Sequence, residues 1–357
     1  MTNETDWVND MAALLSFLWL APTLARLHPT LAAPLAAQSL LGRLSPLSPL
    51  SPHATTDAAP GNLWLQWNLD PILLLGIALI VGAYFYALGP LRRRYHLAER
   101  VDRTKVAYFV AGSVVLTLAL VSPLDALSDT YFFSAHMIQH MLISVVVPPL
   151  WLLGTPGWMI TPLVKGATAR RVARWLAHPV LAFGLFNADL WLWHAPVLYD
   201  ATLTNDTIHI VEHLTFIAFG LLYWLPILSP SPVFPRISRG FGVLYLFIGC
   251  QPMVALGALI TFAAQPLYQP YVLAPHIWGS TPLGDQQLGG LIMWLPSNIP
   301  ALIAISVLFF QWIESHDRAE RAAAGEFDEF DEFGVANDAA APTETQAEVI
   351  ERTAERT

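Results

Sequence analysis

Residues 131–154 read YFFSAHMIQHMLISVVVPPLWLLG, and this stretch decides what kind of molecule the chain is. A transmembrane helix needs about 20 mostly apolar residues, and this run supplies them. Its first half nevertheless carries His136, Met137, Gln139, His140 and Met141. Polar side chains are costly inside a bilayer and usually serve a function there. His136 and His140 stand four apart, so on a helix they share one face, one turn from each other. Met137 and Met141 repeat that spacing on the neighbouring face. Nitrogen and thioether donors together suit copper better than magnesium or calcium.

The rest of the chain has the composition of a membrane protein. Of 357 residues, 55% are hydrophobic and only 13% charged, about half the charged fraction of a soluble domain. The formal charge of −9 says little about partners, because much of the acid lies after Glu314. The single cysteine, Cys250, rules out a disulfide framework or a thiolate metal cluster within one chain. The fold class expected is all-α, a polytopic membrane bundle of seven spans. These are Pro71–Leu88, Val106–Val121, Tyr131–Leu153, Trp175–Trp193, Ile208–Leu228, Phe241–Ala263 and Leu288–Ile313. The fourth is the weakest, since it holds Asn187 and Asp189. Pro148, Pro149, Pro226, Pro252, Pro296 and Pro300 sit in or near these spans, where neighbouring protein must satisfy the backbone groups they free.

Three regions are expected along the chain. Residues 1–65 form a short apolar, signal-like segment and a low-complexity linker containing LSPLSPLSP; the acidic flank of the apolar segment argues against cleavage. Residues 66–316 form the membrane domain. Residues 317–357 form an acidic tail with the repeat EFDEFDEFG, expected to be disordered and cytoplasmic. Lys and Arg fall between spans one and two (Arg92–Arg94, Arg100, Arg103, Lys105), three and four (Lys165, Arg170, Arg171, Arg174), and five and six (Arg236, Arg239), and again after span seven (Arg318, Arg321). Positively charged loops face the cytoplasm, so the amino terminus is expected outside and the carboxyl terminus inside.

On that map the histidines gather at one depth, in the outer leaflet. His136 and His140 lie on span three, His194 ends span four, His209 and His213 open span five, and His276 lies in the loop after span six. A single membrane histidine is ordinarily a packed, hydrogen-bonded residue, but two i,i+4 pairs at one level favour a metal site. The candidate ligands are His136, His140, His194, His209 and His213, with Met141 as a soft auxiliary ligand. Glu212, Asp285, Gln139, Gln286 and Asp189 are candidates for orienting the histidines or neutralising the ion. Asp189 can equally bond a Trp N–H, and Asp285 can equally cap its own helix. His209-Ile-Val-Glu212-His213 also fits H-x-x-E-H, a zinc hydrolase pattern with Glu212 as base. Haem is the rival cofactor, although five histidines exceed the two axial ligands it takes.

Three segments together, FSAHMIQHMLISVVVPPLWLLGTP, WLWHAPVLYDATLTNDTIHIVEHLTFIAFGLLYW and DQQLGGLIMW, resemble the polytopic CtaG-type cytochrome c oxidase assembly factors. These are bacterial proteins linked to caa-type haem–copper oxidases and distinct from the single-span copper carrier of the same name. The resemblance covers about residues 71–313. It implies a multi-pass protein of the inner (plasma) membrane that helps an oxidase reach its active form at copper delivery, with the oxidase's catalytic subunits and a periplasmic copper donor as partners and no nucleic acid. Positions matching the family's recurring residues include His136, Gln139, His140, Met141, His194, Pro196, Tyr199, His209, Glu212, His213, Asp285, Gln286 and Trp294. The expectation is a copper-binding assembly factor rather than an enzyme. An intramembrane zinc hydrolase and a copper transporter are the alternatives, the last opposed by the scarcity of polar residues below His140 and His213.

Overall fold

The computed structural model describes residues 60–164, 166–234 and 236–323, and all regular elements among them are helical. In chain order the principal helices are α1 (Pro71–Tyr86), α2 (Arg103–Val121), α3 (Pro123–Thr130), α4 (Phe133–Met141), α5 (Val147–Gly154), α6 (Ala167–Leu176), α7 (Pro179–Trp193), α8 (Pro196–Thr202), α9 (Asp206–Leu228), α10 (Arg239–Thr261), α11 (Gln269–Leu273), α12 (Pro282–Trp294) and α13 (Ile299–Ala323). The predicted signal-like segment, most of the LSPLSPLSP linker region and the EFDEFDEFG tail lie outside the described residues.

Six helical segments are long and apolar enough to cross a membrane: Pro71–Arg94, Arg103–Val121, Phe133–Gly154, Asp206–Leu228, Arg239–Thr261 and Pro282–Arg321. The chain is a multi-pass membrane protein. The region of the predicted fourth span is also helical, but α7 has 15 residues. At 1.5 Å per residue that is about 22 Å, short of the ~30 Å hydrocarbon layer. Helix α10 illustrates the solvent these helices are built for. Leu246, Met253 and Ile260 are buried, while Phe247 and Leu259 on its other side are more than half exposed. A helix apolar all round belongs in lipid or a large core.

Helix starts follow ordinary capping chemistry. Asp70 accepts from the Ile72 and Leu73 amides at 2.6 and 3.1 Å, Asp102 accepts from Thr104 N, and Asn205 accepts from Ile208 N. Alternate turns of the chain meet at opposite ends. The Asn68 amide donates to Val121 O at one end, and the Tyr84 hydroxyl donates to Gly154 O at the other.

Prolines shape two of the long segments. Pro148 and Pro149 have no N–H for the carbonyls four residues back, and residues Leu142–Val146 pass through a wider π-type turn before α5 resumes. The predicted seventh span is interrupted at Pro296, where Pro296–Asn298 forms a 3-10 turn between α12 and α13. Ser297 Oγ and Asn298 Nδ2 take up the freed carbonyls of Met293 and Trp294. Helices α10 and α12 pack through small residues: a Cβ on Gly257 would sit 2.8 Å from Gly290 O, so only glycine permits this approach.

The described residues form two compact units, one ending at Ile305 and the other starting at Ser306. Within the second, residues 306–323 are helical, Trp312 meets His316 edge-on at 5.5 Å, and Arg318 pairs with Glu314.

Candidate metal centre

Helix α4 carries His136 and His140, and its start is fixed from a distance. Phe132, at its N-cap, supplies no side-chain cap. Asp285 of α12 does so instead, accepting from Phe133 N at 2.6 Å, Ser134 N at 3.3 Å and Ser134 Oγ at 2.5 Å. A carboxylate at a helix amino terminus meets both the orphan N–H groups and the favourable end of the dipole. Asp285 therefore sets where α4 begins, and with it the height of both histidines.

Helix α9 faces α4 and presents His209, Glu212 and His213 at i, i+3 and i+4, one side of the helix. Within each helix the imidazoles are 4.1 Å apart (His136–His140) and 4.3 Å apart (His209–His213), centroid to centroid. Across the gap His136 lies 5.3 Å from His209, and His140 lies 5.4 Å from His213. One ligand atom each from His136, His140, His209, Glu212 and His213 fall within 4.8 Å of one another. Two imidazole nitrogens at bonding distance to one ion, about 2.1 Å each, are at most about 4.2 Å apart. The observed spread is thus about half an ångström beyond a closed shell. His194 adjoins the group, 6.2 Å from His140.

The polar atoms here are left without partners of their own. His136 Nε2, both ring nitrogens of His140, His194 Nε2, His213 Nε2 and both Glu212 carboxylate oxygens are buried and make no hydrogen bond of ordinary geometry among the described residues. Glu212 Oε1 lies 3.8 Å from His140 Nε2. A buried polar atom without a partner costs about 1–3 kcal/mol, and nearly all such atoms in native proteins are satisfied. Each imidazole offers one lone pair and Glu212 its carboxylate oxygens, and several such atoms together fit a bound cation.

The hydrogen bonds on the far side of the rings support that fit. The Tyr271 hydroxyl donates to Ser128 O at 2.6 Å. A carbonyl only accepts, so the one Tyr271 hydrogen is committed. Toward His136 Nδ1, 2.8 Å away, Tyr271 can only accept, and Nδ1 must carry the ring's hydrogen. Tyr199 OH lies 2.8 Å from the same nitrogen. Burial raises both phenols above their ordinary range, so they stay neutral. His136 Nε2 is therefore a free lone pair. His194 repeats the logic: Nδ1 is 2.7 Å from Leu190 O, which leaves Nε2 as the donor. Fixing the tautomer through the outer nitrogen is how proteins prepare histidine ligands.

The chamber is roofed by aromatic rings and has a closed floor. Phe133, Tyr199, Tyr268 and Tyr271 pack together above, with Phe133 stacked on Tyr268 at 4.8 Å and Tyr199 tilted against Tyr268 at 4.2 Å. Below, fully buried Phe216 lies 4.8 Å from the His140 ring. One turn further, Gly220 meets α4–α5 so closely that a Cβ would fall 2.6 Å from Ser144 O.

The other predicted residues have diverse positions. Glu212, expected to orient a histidine, lies among the convergent ligand atoms themselves. Asp285 bonds α4's backbone rather than a ring. Gln139 faces a second polar network, donating to Ala119 O and Asp125 Oδ1 and accepting from Ser128. Gln286 holds the loop after α10 through Leu267 N and Gln265 O. Asp189 Oδ1 accepts from the Trp193 indole at 2.9 Å. Met141 is buried, but about 100° of helical rotation carries it off the face of His140. His276 is exposed, in the loop after α11. Tyr271 was missed by sequence reasoning. It lies in an unremarkable loop helix, 135 positions from the histidine it holds, and no local pattern signals it.

The profile of the cytochrome c oxidase caa3 assembly factor family (Caa3_CtaG) matches residues 82–315. Uncharacterised proteins of Mycobacterium bovis and Mycobacterium tuberculosis are each 28% identical over 297 residues, covering 76% of this chain and 42% of theirs. One of Mycobacterium leprae is 26% identical over 271 residues, covering 71% of this chain and 40% of its own. The chain thus spans about two fifths of the length of these relatives. No solved structure matches.

Proposed function

The chain belongs to the cytochrome c oxidase caa3 assembly factor family, and from that premise we propose that it holds copper as cargo in the histidine chamber for delivery to a haem–copper oxidase. The observation that carries this reading is the convergence of buried, unpartnered histidine nitrogens and one carboxylate on a single point. His136, His140, His209 and His213 supply neutral nitrogen donors, and Glu212 offsets the ion's charge. His194 is a fifth imidazole at the edge. The set contains no thiolate, and thiolates are what select soft ions most strongly. Imidazole and carboxylate donors suit an ion that must be given up again.

In this reading the protein spans the inner membrane seven times, with α7 as the short fourth span, the amino terminus outside and the chamber near the periplasmic surface. Its partners are the oxidase's catalytic subunits and a periplasmic copper donor, and its role is assembly rather than catalysis. The closed floor at Phe216 and Gly220 supports a carrier over a transporter. Haem suits the chamber poorly. Axial histidines need a porphyrin plane between them, and here further side chains crowd both pairs within 4.8 Å.

Elemental analysis of the detergent-purified chain tests the proposal. We expect about one copper per chain in the native protein and none in the His136→Ala, His140→Ala double variant. Unchanged metal content in that variant would reject the site. Zinc in place of copper, with a hydrolytic activity lost in Glu212→Gln, would turn the reading toward the H-x-x-E-H hydrolase.

A further inference from the structure

The chamber is not equally closed on every side. His136, His140 and Glu212 are fully buried, while His209 and His213 are partly exposed. His209 sits in the first turn of α9, beside the Asn205 cap. Its Nδ1 lies 3.9 Å from Asp129 Oδ2, and the two side chains are 13% and 12% exposed. Asp129 is near the end of α3, its Oδ1 3.1 Å from the Ser128 hydroxyl. The opposite side is sealed by Phe216 and Gly220.

Given the reading of the chamber as a cation site, we propose that Asp129 is its access carboxylate: an incoming transition-metal cation meets Asp129 first and passes through His209 to the buried ligands. Three structural features support this. The pair lies at the partly exposed edge of the cluster, its side chains 13% and 12% exposed. A carboxylate at the edge attracts a cation over a longer range than the imidazoles behind it, which bind only by direct contact. And the His209 ring bridges outside to inside, with Nδ1 toward Asp129 and its ring 5.3 Å from that of His136. Asp125, one turn earlier on α3, faces away from this pair into the network of Asn68 and Gln139, at 2.7 and 2.9 Å.

The test is the rate of loading. Full-length protein in detergent is mixed with copper(II) sulfate, uptake is followed by stopped-flow tryptophan fluorescence, and the bound ion is counted at equilibrium. Asp129→Asn should bind the same number of ions on the order of tenfold more slowly, and its rate should lose most of its dependence on ionic strength. Asp129→Glu should load at close to the native rate. An Asp129→Asn variant that loads as fast as the native chain overturns the proposal while leaving the chamber's reading intact. One that binds no ion overturns it too, since Asp129 would then be a ligand or a structural group. A native chain that takes up no copper removes the underlying reading as well.

Discussion

Removing the two phenols behind His136 probes the logic of the chamber without touching a ligand. In Tyr271→Phe the Ser128 carbonyl loses its 2.6 Å donor and His136 Nδ1 loses one of two acceptors at 2.8 Å. The stranded buried carbonyl costs about 1–3 kcal/mol of stability, so the thermal midpoint in detergent should fall by several degrees. The metal affinity should change less, because Tyr199 still lies 2.8 Å from Nδ1. One neutral hydrogen bond contributes about 0.5–1.5 kcal/mol, and 1.4 kcal/mol is tenfold, so the single variant should lose at most about tenfold. The double variant Tyr199→Phe, Tyr271→Phe leaves the Nδ1 hydrogen with neither acceptor. Its loss should exceed the sum of the two single losses, as expected for residues sharing one partner, and should approach the upper part of the 10–100-fold range seen when a ligand's supporting partner is removed. The measurement is competitive copper titration against a chelator of known affinity, with stoichiometry checked by elemental analysis. A double variant that binds copper as tightly as the native chain would refute the argument that these hydroxyls set the His136 tautomer.

Other expectations follow from single contacts. Asp285→Ala removes three hydrogen bonds at the start of α4; helix caps contribute about 0.5–2 kcal/mol, so thermal stability should fall by about that or more and amide exchange should rise first at Phe133 and Ser134. Gly220→Ala places a methyl 2.6 Å from Ser144 O, and overpacking of this kind costs about 1–3 kcal/mol; a variant melting with the native protein would show that α9 and α4–α5 are not so close. Burial, reinforced by the neighbouring Asp129, raises the Asp125 carboxyl from its ordinary value of 3.8 to about 7. The folded state therefore favours the neutral acid, so this contribution to stability is complete below about pH 4 and is lost as pH rises through about 7. Asp125→Asn should flatten that part of the stability-against-pH curve, and an unchanged slope in the variant would count against the assignment. Glu212→Gln keeps the shape of the side chain but removes its charge; copper retention should fall while the fold persists, as read by an unaltered elution volume.

Much of the architecture was legible because it is governed by periodicity and solvent. Runs near 20 apolar residues marked the long helices, and the i,i+4 and i,i+3 spacings of His136, His140, His209, Glu212 and His213 required that each set share one face of its helix. Those are local rules, and the chain obeys them locally. What periodicity does not determine is which face turns to which neighbour. That α4 and α9 present their histidines to each other, within 4.8 Å ligand atom to ligand atom, is a result of packing.

The same distinction separates the second tier of residues. Gln139, Gln286 and Asp189 were polar in apolar surroundings; sequence offered each as support for the histidines, and for Asp189 also a Trp N–H. The partners proved to be Asp125, Leu267 N and Trp193. Tyr271 and Asp285 gained their roles across 135 and 152 positions of chain, where no spacing rule reaches. Sequence by itself determined a membrane-embedded helical protein with imidazoles arrayed on two helix faces. Only tertiary structure decided which nitrogens are left without hydrogen bonds, because that depends on every donor and acceptor the fold brings within about 3 Å, and partners such as Tyr271 arrive from far along the chain.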